Sequence, residues 1–200
     1  MTSSEKFTAT PTQIEGVLVI EPRVLGNKSS WFMESFNARD LSAAIGSDIK
    51  FVQDNQSLSK QWTLRGMHFQ TEHPQGKLVR VVQGTVFDVV VDVRVNSATY
   101  GKWVGIELSA ENHKQIWVSP GLAHGFLVLS PTSEILYKTT DYYHPQSEVC
   151  LAWNDVEVNI HWPLPDGIVP ILSAKDLQGV LLKQLAVNET LGFNYRQPVK

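Results

Sequence analysis

The chain is poor in cysteine, in positive charge and in long apolar runs, and each shortage removes a class of function. Cys150 is the single cysteine among 200 residues, so no intramolecular disulfide can form and no cysteine-based zinc cluster can be built. That usage fits a reduced, cytoplasmic setting. Cys150 lies between Val149 and Leu151 and reads as a buried structural thiol rather than a nucleophile. Lys and Arg number 17 against 20 Asp and Glu, a net charge of −3, with a pI near 6.1. A nucleic-acid-binding face shows the opposite balance, whereas an anionic small ligand needs only a few local cations. No apolar run is long enough to span a bilayer. The opening "MTSSEKFTATPTQ" has no basic stretch followed by an apolar one, so neither membrane insertion nor a secretory signal is expected.

What is present is ordinary globular material: 42% hydrophobic and 18% charged residues, enough to build one sizeable core. No internal repeat or low-complexity linker interrupts it, so residues 1–200 are expected to form a single domain. "GVLVIEP" (Gly16–Pro22) and "SWFMESF" (Ser30–Phe36) read as strands, as do "FVQDNQSLS", "TLRGMHFQ", "KLVRVVQG", "WVGIELSA", "KQIWVSP", "GFLVLS", "SEILYKTT" and "VCLAWND". These runs are short, rich in Val, Ile and aromatics, and separated by Gly, Pro, Asn or Ser. In "TVFDVVVDVR", Phe87, Val89, Val91 and Val93 fall on one face, and Asp88, Asp92 and Arg94 on the other. That is the period-two pattern of a strand with one polar face. "NARDLSAAIG" is the one clear short helix, capped by Asn37 and ended by Gly46. About ten strands without intervening helices predict an all-β sandwich or small barrel of jelly-roll type. From about Ser173, "AKDLQGVLLKQL" predicts a helical tail packed on the outside.

Ionisable residues inside strand-rich sequence carry the functional information, because burying them unpaired is costly. Arg65, His68 and Lys77 fall within thirteen residues. On an unbroken strand Arg65 and His68 would sit on opposite faces; a bulge at Gly66 would let them share one. His124 follows in "SPGLAHGF", Tyr137, Tyr143 and Glu148 in "LYKTTDYYHPQSE", and Lys175 and Asp176 in "LSAKD". Each also has a plain structural reading. A strand histidine is commonly just hydrogen-bonded in place, Tyr137 would suit a core with its hydroxyl at the rim, and Asp176 would suit a helix cap. His73, His113, His144 and His161 read as loop or surface residues. Two positions after His68 stands Gln70, so the H-x-H pair of metal-binding jelly rolls is missing, and no metal is expected.

Taken in order, "FVQDNQSLS", "TLRGMHFQ", "QGKLVRVVQGTVFDVVVDVR", "SPGLAHGFLVLS", "LYKTTDYYHPQSE" and "LSAKD" resemble the dTDP-4-dehydrorhamnose 3,5-epimerases, metal-free jelly-roll (cupin-type) enzymes of deoxysugar biosynthesis. The resemblance runs from about Gly16 to about Asp176. It implies an isomerase that needs no cofactor, acts on a dTDP-sugar and inverts two carbons beside a C4 ketone. It implies that His68, in R-G-x-H-x-Q, is the general base, that Asp176 holds its tautomer, that Tyr137 is the general acid on the other sugar face, and that Lys77 lies near the C4 oxygen. It further implies substrate contacts from Arg65 and His124, a nucleotide-side pair in Gln53 and Asn55, stacking of Tyr143 on the thymine, and binding roles for Glu148 and Lys175. Glu34, in "FMESF", matches a residue that family members contribute to binding; they are usually homodimers that exchange strands. One departure stands out. Where the family has D-x-R-G before this strand, the chain has "GNKSSWFMESF", with Ser29 in place of the Arg and Lys28 as a cation without its bidentate fork. That departure keeps open a relative that epimerises a single carbon. A cupin that merely binds a sugar nucleotide would be expected to lack some of His68, Tyr137, Lys77 and Asp176.

Overall fold

The computed structural model of the chain describes residues 2–3 and 6–187. In chain order the strands are β1 (Thr2–Ser3), β2 (Phe7–Pro11), β3 (Val17–Pro22), β4 (Val24–Asn27) and β5 (Ser30–Met33). After helix α1 (Ala38–Ile45) come β6 (Gln53–Lys60), β7 (Leu64–Gln70), β8 (Lys77–Gln83), β9 (Thr85–Asp92) and β10 (Trp103–Ser109). β11 (Gln115–Val118), β12 (Leu122–Val128), β13 (Thr132–Thr139), β14 (Glu148–Cys150) and helix α2 (Leu182–Val187) complete the set. One sheet has the order β1-β2-β3-β11-β8-β13-β6 and the other β10-β9-β12-β7-β14, while β4 and β5 form a separate hairpin. The ladders are antiparallel, and the crossovers between the sheets give the expected jelly-roll sandwich.

Period two decides which side chains meet. Val79 and Val81 of β8, Ile116 of β11 and Ile135 of β13 point from the larger sheet into Val86, Val90, Leu122 and Phe126 of the smaller one. Val79, Phe126 and Ile135 of this layer also form the floor of the cleft described below. On the outer face of the larger sheet, α1 drops Leu41 onto Trp117, Leu78 and Ile20. The helix begins where Asn37 Oδ1 accepts from the Asp40 amide and ends where Gly46 turns left-handed, at φ 80°, in line with its sequence.

β9 shows the alternation that its sequence predicts, with both of its faces largely buried. Val89, Val91 and Val93 lie beneath the C-terminal segment with Leu182, Leu185 and Val158, while Asp88, Asp92 and Arg94 are wholly buried. The polar set is therefore internal and must be paired. Asp92 accepts Arg94 Nε and Nη2 at 2.9 and 2.8 Å and the hydroxyls of Ser97 and Thr99 at 2.5 and 2.6 Å.

The continuous helix expected after Ser173 is corrected. The segment forms a single 3-10 turn at Asp176–Gln178, then an extended link, then α2. Val180 donates to Cys150 O and accepts from the Ala152 amide, both at 2.8 Å. A Cβ on Gly179 would stand 2.6 Å from Ala152 Cα, so the link can lie this close only as glycine. The segment covers the outside of the smaller sheet, and the bridge of Ile171 to Thr63 sets the residues ahead of the 3-10 turn, and so Asp176, beside β7. Residues 188–200 of the tail lie outside the described residues.

Candidate active site

The site starts from a glycine. Between Arg65 and His68, β7 carries two residues where β12 has one, since His68 pairs with His124 and Arg65 with Phe126. This extra residue is a bulge, and it cancels the odd spacing, so Arg65 and His68 both face one cleft. Gly66 holds a φ of 122°, and a Cβ there would lie 2.5 Å from Gly125 Cα and 2.9 Å from His124 O. No side chain fits.

The same bulge aims its Gly66 amide at Asp176 Oδ1, at 3.3 Å. His68 Nε2 lies 2.6 Å from that oxygen. Asp176 is 1% exposed, with Ser173 Oγ donating to Oδ2 at 2.6 Å and Arg65 Nη1 3.8 Å away. Burial alone would raise its carboxyl pKa, but the His68, Ser173 and Gly66 bonds outweigh that and hold it below the usual carboxylate range. Burial also pulls His68 below its ordinary value, against the opposing Asp176 bond. A neutral imidazole beside a fixed carboxylate is a poised proton acceptor.

The cleft, about 370 Å³, opens between the two sheets. Lys77, at the start of β8, is buried and donates to His68 O at 3.3 Å. Burial pushes its ammonium down to about 8, with Glu148 and Asp88 partly resisting. Tyr137 enters from β13, paired with Asn55 of β6 and Val79 of β8, so it faces His68 from the other sheet. Burial, then Glu148, raises its phenol. His124 lines the cleft from β12 with Nε2 at 2.9 and 3.0 Å from the Asp88 oxygens.

At the mouth, Glu148 collects a network. Tyr143 Oη donates to it at 2.8 Å, and Lys175 Nζ reaches both its oxygens at 2.8 Å. Those bonds override the effect of burial and lower its carboxyl. Gln53 Nε2 donates to Asn55 Oδ1 at 2.8 Å, and Gln53 Oε1 accepts from the Tyr143 amide at 3.1 Å.

The structure thus gathers His68, Lys77, Tyr137, Arg65, His124, Gln53, Asn55, Tyr143, Glu148 and Lys175 around one cleft, with Asp176 directly behind His68. Glu34 lies apart, paired with Lys6 at 3.1 Å. Ser29 also lies apart, in the β4–β5 turn, with its amide and hydroxyl on Asn27 Oδ1 at 2.9 and 2.7 Å. Sequence reasoning missed Asp88, Ser173, Ser57 and Gln75; the last two line the cleft. Asp88 left only a partial signal, an acid within a valine-rich strand, because its partner His124 is set by the fold. Cys150 is half-buried rather than fully buried, and its Sγ lies 4.0 Å from Asp176 Oδ1. Burial, then Asp176, pushes the thiol up to about 12, so it stays neutral. His68, Cys150 and Asp176 offer ligand atoms within 4.8 Å of one another, but the Arg65 guanidinium 3.8 Å from Asp176 opposes a second cation there.

Comparison with known proteins agrees with this geometry. The family model for dTDP-4-dehydrorhamnose 3,5-epimerase matches residues 11–184. A Pseudomonas aeruginosa protein of that name is 52% identical over 171 residues, 86% of this chain and 93% of its own. A Legionella pneumophila dTDP-6-deoxy-D-glucose-3,5-epimerase, solved with dTDP-4-keto-L-rhamnose, superposes with a TM-score of 0.88 at 43% identity, covering 95% of this chain and 99% of its own. A 3'-monoepimerase from Streptomyces bikiniensis, solved with dTDP-quinovose, gives 0.81 at 32% identity over 86% of this chain and 87% of its own. The chain belongs to the dTDP-4-dehydrorhamnose 3,5-epimerase family of isomerases.

Proposed function

We propose that the chain inverts C3 and C5 of dTDP-4-dehydro-6-deoxy-D-glucose to give dTDP-4-dehydro-L-rhamnose. The observation that carries this reading is the placement of His68, backed by Asp176, and Tyr137 on facing sheets of one cleft. A ketone at C4 acidifies the C–H bonds at C3 and C5. Inversion then needs a base on one face of the ring and an acid on the other.

His68 takes the proton, and the C–H electron pair moves into the enolate with its charge on the C4 oxygen. Asp176 stabilises the imidazolium so formed. Lys77, with His124, supplies positive charge or a donor to the enolate oxygen, the electrostatic contribution that often dominates such steps. Tyr137 returns a proton to the opposite face, and exchange with water resets both groups. The same set acts at the second carbon. No redox step occurs, so no redox cofactor is required by the chemistry, and the enolate charge is met by Lys77 and His124.

At the other end of the substrate, Tyr143 stacks on the thymine, Gln53 and Asn55 take the nucleotide side, and Arg65, Glu148 and Lys175 hold what lies between. Glu34 has no place in its own cleft and serves that of a second copy in a homodimer. The exposed hairpin, with Phe32 at 67% and Trp31 at 50% exposure, supports that exchange. The protein acts as one jelly-roll domain in the cytoplasm; no helix of the described residues is long and apolar enough to cross a membrane.

A second reading, inversion of one carbon only, is favoured by Ser29 in place of the family Arg and by the likeness to a monoepimerase. Product NMR separates the two. Inversion at both carbons supports the double epimerase, and inversion at one supports the second reading.

A further inference from the structure

Gln70 stands where a metal-binding jelly roll would place its second histidine, yet it does not line the cleft. It is 4% exposed, and every polar atom of its side chain is engaged. Nε2 donates to His73 O at 2.6 Å and to Tyr142 O at 3.3 Å, while Oε1 accepts the His144 amide at 3.0 Å. Two of these partners are the residues on either side of Tyr143. Tyr143 itself is half-exposed, so packing does not fix it. Its backbone is held by Gln53 on its own amide and by Gln70 on both flanks, and its hydroxyl by Glu148.

We propose that Gln70 is a positioning residue for nucleotide binding: its amide clamps the peptide groups on both sides of Tyr143 and presents that ring to the base. This rests on the reading of Tyr143 as the stacking surface. The chemistry of the side chain is specific to the task. A primary amide offers two N–H donors and one carbonyl acceptor, matching two backbone carbonyls and one backbone N–H. Glutamate would set an oxygen against those carbonyls, and histidine has one donor and one acceptor when neutral. The segments that Gln70 joins, 71–76 and 140–147, each put a residue into the lining of the cleft, Gln75 and Tyr143. A second tie, from Gln75 Nε2 to Asp141 O at 2.9 Å, runs parallel to it. The clamp acts at the nucleotide end and leaves the reacting end of the sugar to His68, Lys77 and Tyr137.

Calorimetric titration with dTDP, paired with steady-state kinetics, tests this in Gln70→Ala, Tyr143→Ala and the double variant. Gln70→Ala is expected to weaken dTDP by about tenfold and raise KM in step, with kcat within about threefold of the wild type. Tyr143→Ala should weaken dTDP at least as much. The double variant should be no weaker than Tyr143→Ala alone, because both changes remove the same contact. If Gln70→Ala does not fold, Gln70→Glu, of equal size, carries the same expectation. Unchanged dTDP affinity in the Gln70 variant beside a loss in Tyr143→Ala would overturn the clamp, as would losses that multiply in the double variant or a kcat that falls with KM unchanged. Unchanged affinity in Tyr143→Ala would overturn the stacking reading itself, and the clamp with it.

Discussion

His68 and Asp176 stand 108 residues apart in the chain and 2.6 Å apart in space. The contact depends on two local features. The bulge at Gly66 turns His68 into the cleft, and the lone bridge of Ile171 to Thr63, with its carbonyl accepting the Leu64 amide at 2.9 Å, brings the segment carrying Asp176 beside β7.

Replacing Asp176 by Asn keeps the size of the side chain but sets an amide where a carboxylate accepts from His68, Gly66 and Ser173. The imidazolium loses its counter-charge and the tautomer is no longer fixed. We expect kcat to fall by about 10²- to 10⁴-fold with KM little changed, measured by steady-state turnover. A loss below threefold would show that Asp176 does not support the base.

The pH profile of kcat/KM should be bell-shaped. His68 works as the neutral base, and because burial lowers its pKa from the ordinary value, the acid limb should fall below about 6.5. Lys77 works as the cation, and with its pKa pushed down to about 8 the alkaline limb should appear near there. Lys77→Met should remove that alkaline limb along with most of the rate.

That same substitution should stabilise the fold. The Lys77 ammonium is held near 8 when folded, against 10.5 as its reference value, so the folded state is the one reluctant to bind the proton. Stability therefore rises between those two values as pH increases, and below pH 8 the full penalty of about 3 kcal/mol applies. Urea midpoints at pH 7 should be higher for Lys77→Met than for the wild type. A lower midpoint would mean that the buried ammonium is better compensated than its single bond to His68 O indicates.

Gly66→Ala should be inactive, since its Cβ would meet the backbone of Gly125 and His124. Relief requires β7 and β12 to shift, which moves His68 and the amide that holds Asp176. Destabilisation of a few kcal/mol in thermal or urea melts is expected with it.

Much of this was legible in the sequence. Period-two alternation located the core strands, Asn37 and Gly46 bounded α1, and the odd spacing of Arg65 and His68 around a glycine called for the bulge. The polar face of β9 was legible too, but alternation reports only that two faces differ, not which of them meets water; the C-terminal segment covers the apolar face, and Asp88, Asp92 and Arg94 on the polar one are buried and paired internally. The helix predicted after Ser173 failed because local propensity in "AKDLQGVLLKQL" yields to long-range contacts, with Val180 drawn into pairing beside Cys150 and Ala152. Asp88 and Ser173 were missed for a related reason: their partners, His124 and Asp176, define them only once the sheets are folded.

The most direct test of the two-faced proton transfer is NMR of dTDP-4-dehydro-6-deoxy-D-glucose incubated with the protein in deuterated water. Deuterium should enter at both C3 and C5 with the wild type and at neither with His68→Ala, while Tyr137→Phe should exchange without completing inversion at C5. Wild-type protein that leaves both carbons unlabelled, or a His68→Ala variant that labels them at the full rate, would contradict it.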